Sequence, residues 1–82
     1  MGQLLEMFIA EEVTPYVRQL INDNLNHRKL GKTECYFEFN RFDLAFDLLK
    51  GIVTITDVLN ASSEGEELVS LDYFMNVLNK TQ

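Results

Sequence analysis

Phe42-Asp43-Leu44-Ala45-Phe46-Asp47-Leu48-Leu49 is the stretch on which the fold turns. It is a four-residue near-repeat, Phe-Asp-Leu-Ala followed by Phe-Asp-Leu-Leu. Residues four apart share a helix face, so a helical reading stacks Phe on Phe, Asp on Asp and Leu on Leu in separate rows. Asn40 stands where a helix N-cap would, and Gly51 where a helix would stop. These signals predict a helix over 41–50 in which only the Asp43 and Asp47 row is polar. Such a helix is apolar around most of its circumference, which suits the centre of a fold or one half of an interface.

Immediately upstream, Cys35, Phe37 and Phe39 alternate with Glu34, Tyr36 and Glu38. One apolar and one polar face at period two predict a strand over 33–39. Before it, Leu5, Ile9, Val13, Tyr16 or Val17, Leu20 and Leu25 recur at helical spacing. Pro15 interrupts that pattern, and Thr14-Pro15 is a good helix start. The expectation is a helix pair, about 2–13 and 15–29, kinked or broken at Pro15. Gly31 closes the second helix, with Arg28 and Lys29 in its last turn.

Downstream, Ile52-Val53-Thr54-Ile55-Thr56 is rich in β-branched residues. It favours a strand over 52–56, with a helix running on past Gly51 as the alternative. If 34–39 pairs with 52–56, the intervening helix makes a small parallel β-α-β unit. Asn60 to Glu67 reads as an acidic loop. Leu68, Leu71, Phe74 or Met75, and Leu78 predict a C-terminal helix over about 66–79, capped by Ser63 or Ser70. The fold class expected is α+β and mainly helical, in a single small globular domain spanning 1–82.

Composition narrows the function classes. Eighty-two residues, 46% of them hydrophobic, are enough for one core and too few for two. The single cysteine, Cys35, rules out an intrachain disulfide framework and a four-cysteine zinc site. One free thiol fits a reducing, cytoplasmic setting. The N-terminal stretch lacks a basic segment and carries Glu6, Glu11 and Glu12, so it does not read as a signal peptide. No apolar run approaches the roughly 20 residues that span a bilayer. A net charge of −6 disfavours direct nucleic-acid binding and docking on anionic membranes.

No catalytic, cofactor or metal motif emerges. Asp43 and Asp47 share a face, but no Glu-x-x-His or comparable ligand spacing accompanies them, and a solvated stripe is the favoured reading. His27 lies with Arg28, Lys29 and Lys32 in the only basic cluster, which reads as helix termination. Cys35 is on the strand face of Phe37 and Phe39 and reads as a buried, inert thiol. Four of the six phenylalanines fall between 37 and 46, a concentration that serves either a core or an interface.

The leading expectation is therefore a non-catalytic protein–protein interaction module: a small regulator, adaptor or inhibitor that docks on another protein. Self-association is expected too, with a dimer favoured. The candidate partner-binding residues are Phe42, Phe46, Asp43, Asp47, Glu64, Glu66 and Glu67. The alternative is an acidic mimic of nucleic acid that inhibits a DNA- or RNA-binding protein. The third is a small-molecule or metal-binding domain built on Asp43, Asp47 and His27.

Overall fold

Phe42–Asp47 and Ile52–Asp57 alternate buried and half-buried positions residue by residue. Both are strands, and they form the centre of a four-stranded antiparallel sheet. The computed structural model describes residues 3–26, 33–59 and 65–80. In chain order these form α1 (Gln3–Glu12), α2 (Pro15–Asn26), β1 (Glu34–Glu38), β2 (Phe42–Asp47), β3 (Ile52–Asp57), β4 (Glu66–Ser70) and α3 (Leu71–Lys80). The strands lie in the order β1-β2-β3-β4, and each neighbouring pair is antiparallel. The described residues are 48% helical and 33% strand, so the fold is α+β but not mainly helical.

Three expectations are corrected here. The helix over 41–50 is strand β2. A repeat of four is a multiple of two as well as close to one helical turn, so it fits either element. As a strand, the stretch puts Phe42, Leu44 and Phe46 on one face and Asp43, Ala45 and Asp47 on the other. That buries all three large side chains completely, which the helical arrangement, with apolar rows all round, does not. The parallel β-α-β unit is consequently an antiparallel meander. The C-terminal helix does not begin near 66: β4 occupies Glu66–Ser70, and α3 starts at Leu71. Its first five residues are drawn into the sheet by pairing with β3, from Ile52↔Ser70 to Thr56↔Glu66.

Other elements lie where the sequence places them. Thr14 caps α2: its Oγ1 accepts from the Val17 amide at 3.2 Å, and its carbonyl accepts the first helical bond from Arg18 at 2.9 Å. Ser70 caps α3, accepting from the Tyr73 amide at 3.1 Å. Strand β1 buries Cys35 and half-buries Phe37, and β3 takes up the β-branched run. Gly51 does stop an element, but the element is β2. Its φ of +69° closes the β2–β3 turn, with its amide on the Asp47 carbonyl at 2.8 Å. The Lys50 amide bonds Asp47 Oδ1 in the same turn. Gly31, Arg28, Lys29 and Ser63 lie outside the described residues.

The inner face of the sheet carries the core. All six phenylalanines join in one network. Phe46 meets Phe74 of α3 edge-on at 5.3 Å, and Phe37 meets Phe46 at 5.6 Å. Phe8 of α1 sits 5.4 Å from Phe39, 5.9 Å from Phe42 and 6.3 Å from Phe74. Leu5, Ile21, Leu25 and Leu78 complete the helical side of the core. Asn22 of α2 and Asn79 of α3 exchange hydrogen bonds at 2.9 and 3.3 Å.

Charged side chains from the sheet hold both ends of α1. Glu67 turns inward, and its Oε1 accepts from the Leu4 amide at 2.8 Å, a carboxylate at the positive end of the helix. At the other end α1 carries Glu11 in its last turn and no basic residue of its own there. Arg41, in the β1–β2 connection, supplies the cation with Nη1 at 3.1 Å from both Glu11 oxygens. The same guanidinium grips buried Asp57 through Nε at 3.2 Å and Nη2 at 2.9 Å. Hydrogen bonding to Arg41 lowers the Asp57 pKa, and desolvation opposes that shift.

Two outcomes are expected. Phe8→Ala should cost about 3–5 kcal/mol in urea unfolding, because the helix–sheet contact loses its central ring. Asp57→Asn should melt below the wild type at neutral pH. A depressed carboxylate stabilises above its unfolded value of about 4, and that stabilisation fades as pH falls through the folded value. The gap between the two melting curves should therefore close in acid.

Candidate functional site

The three described helices lie on one face of the sheet, and among the described residues no element covers the other. Strand register fixes what the open face presents. Its first cross-strand row is Glu34, Asp47, Ile52 and Ser70. The middle row is Tyr36, Ala45, Thr54 and Leu68. The third is Glu38, Asp43, Thr56 and Glu66. The open face is thus a band of apolar and hydroxyl groups between two acidic rows, which are four residues, or about 13 Å, apart along the strands.

Relief on this face comes from side-chain size. Tyr36 and Leu68 stand on the edge strands with 61% and 60% of their surface exposed. Between them lie the small Ala45 and Thr54. The Tyr36 hydroxyl donates to Asp43 Oδ2 at 3.1 Å, which leans the ring toward the third row. That hydrogen bond, together with burial and the neighbouring carboxylates, raises the Tyr36 pKa, so the phenol stays protonated well above neutrality. On the other side of Tyr36 a depression of about 230 Å³ opens beside Ala45, Thr54, Glu34 and Asp47.

Electrostatically the face is one-sided. Two of the three open-face pairings of β1 with β2 set acid directly opposite acid, Glu34↔Asp47 and Glu38↔Asp43. Directly opposed like charges destabilise a sheet. Among the described residues no cation pairs with these groups, and Arg41 is engaged by Glu11 and Asp57.

The expected site residues are distributed as follows. Asp43 and Asp47 share a face, as the helical reading also had it, but at strand spacing with Ala45 between them. Phe42 and Phe46 are fully buried in the core and present nothing to a partner. Glu66 lies on the open face. Glu67, its neighbour, points to the opposite face and holds α1. Glu64, His27 and Lys32 lie outside the described residues. Asp43 and Asp47 are too far apart to share an ion, and no cluster of three or more potential ligands occurs among the described residues. Cys35 is buried and free.

Tyr36, Ala45, Thr54 and Leu68 were not singled out from the sequence. The alternation of 33–39 does put Tyr36 on a wet face, but pairing it with Ala45, Thr54 and Leu68 requires the register. No protein-family model matches the chain, and neither a curated protein nor a solved structure does so. The described helices include none long and apolar enough to cross a membrane.

Because the acidic pairs oppose folding, Glu34→Gln combined with Glu38→Gln should raise the melting temperature by roughly 2–8 °C at low ionic strength. The gain should shrink in 1 M salt, where charges are screened beyond about 3 Å.

Proposed function

We propose that the protein is a non-catalytic interaction module that docks on another protein through its open sheet face. The observation that carries this reading is the arrangement of that face: exposed Tyr36 and Leu68 in one row, flanked by acidic rows that have no cation of their own among the described residues. The apolar band supplies contact area, and the carboxylates orient the encounter and speed it. A basic protein surface is the complementary partner. A reducing, cytoplasmic setting suits the free Cys35 thiol.

Self-association through this face is opposed by charge, because two copies would bring ten carboxylates together, five from each. The Phe42 and Phe46 rows that suggested a dimer are inside the core. The partner is accordingly a different chain.

A second reading has one supporting observation. The two acidic rows lie about 13 Å apart, close to the roughly 12 Å width of a DNA major groove. In that reading the face imitates phosphates and occupies a nucleic-acid-binding cleft.

Affinity capture from native extract, followed by cross-linking and mass spectrometry, tests the proposal. A partner held by the wild type should be lost with Leu68→Asp and kept with Tyr16→Ala, which alters an exposed residue of the helical layer. Retention by Leu68→Asp would remove the open face from the function. Displacement of the captured partner by duplex DNA would favour the phosphate-imitating reading.

A further inference from the structure

We infer that the depression beside Ala45 is a socket for a single arginine side chain of the partner protein. The inference rests on the docking face proposed above and identifies what that face recognises.

The socket follows from residue sizes and one hydrogen bond. Ala45 has only a methyl group where its open-face neighbours on β2 carry carboxylates. Tyr36, directly opposite, is tied to Asp43. That tie leaves the side toward Glu34 and Asp47 open, and the resulting space is about 230 Å³. Its lining includes Tyr36, Thr54 and the opposed Glu34 and Asp47, residues that can offer a ring, a hydroxyl and two carboxylates. Asp47 gives Oδ1 to the Lys50 amide. Its other oxygen and both oxygens of Glu34 accept no hydrogen bond within the described fold.

Charge complementarity selects a cation, and shape selects arginine over lysine. A planar guanidinium forks its N–H donors between two acceptors while stacking on an aromatic ring. An ammonium is a compact, strongly hydrated point charge and gains less from the ring and the fork. The opposed Glu34 and Asp47 repel each other in the free protein, and a guanidinium between them converts that repulsion into two charge-assisted contacts. On the third row the Tyr36 hydroxyl already occupies Asp43.

The test is an amide NMR titration of the full chain with two disordered octapeptides, alternating Arg-Gly and alternating Lys-Gly. The arginine peptide should bind about tenfold more tightly than the lysine peptide. Its shifts should centre on Tyr36, Ala45, Phe46 and Thr54. Ala45→Leu fills the socket and keeps every carboxylate; it should weaken arginine-peptide binding about tenfold with the melting temperature unchanged or higher. Glu34→Gln should weaken it as well while stabilising the fold. Equal binding of the two peptides, or an Ala45→Leu protein that binds as the wild type does, overturns the socket. Shifts spread evenly over Glu38, Asp43 and Glu66 overturn it as well, showing general charge attraction. If the socket fails while Leu68→Asp still abolishes partner capture, docking on the open face stands without arginine recognition. If arginine binds here and Leu68→Asp leaves capture intact, the docking reading fails instead.

Discussion

Phe74 touches Phe46 on one side and Phe8 on the other, and through these rings the helices and the sheet become one body. Neither layer has much independent stability. Helices of 10 to 12 residues are marginal in water. A sheet with one apolar face needs a cover. The aromatic network supplies the shared buried surface, and aromatic side chains bring the largest apolar area per residue. With no disulfide, the fold depends on this packing.

Polar contacts then set the position of α1 over the sheet. Glu6 in its first turn suits the helix dipole, but its last turn is poorly matched, with Glu11 and no basic residue at the negative end. Glu67 of β4 and Arg41 of the β1–β2 connection compensate from outside, at opposite ends of the helix. Arg41 also neutralises Asp57, which is almost fully buried and would otherwise be costly to keep charged. Helix α1 is thus as much a product of the sheet's charges as of its own periodicity.

The layer arrangement also explains the open face. Three short helices lie on one side, no described element covers the second, and that second side holds what the core does not use. It retains acid–acid pairings that a sheet selected only for stability would replace. Groups that weaken a fold without serving its packing are candidates for binding, and the aromatic and leucine flanking them supply the apolar contact that binding needs. Most of the expected partner-binding acids do lie here, while the two expected phenylalanines have gone to the core.

The sequence by itself determined the elements whose signals are local. Thr14-Pro15 split the first helical pattern because a hydroxyl cap and a pre-set φ act within one turn. The alternation of 33–39 and the β-branched 52–56 run marked strands, which the structure places at 34–38 and 52–57, and Ser70 was one of two caps named for the last helix. Two choices needed the tertiary structure. Residues 42–47 carry a four-residue repeat that fits a strand and a helix alike, and residues 66–70 continue a helical apolar pattern. In both cases the strand prevailed because a neighbouring strand was present to satisfy its backbone groups and an aromatic core was present to bury one face. The middle row of the open face is a still more remote consequence. Tyr36, Ala45, Thr54 and Leu68 are separated along the chain by 9, 9 and 14 residues, and only the register of four paired strands aligns them.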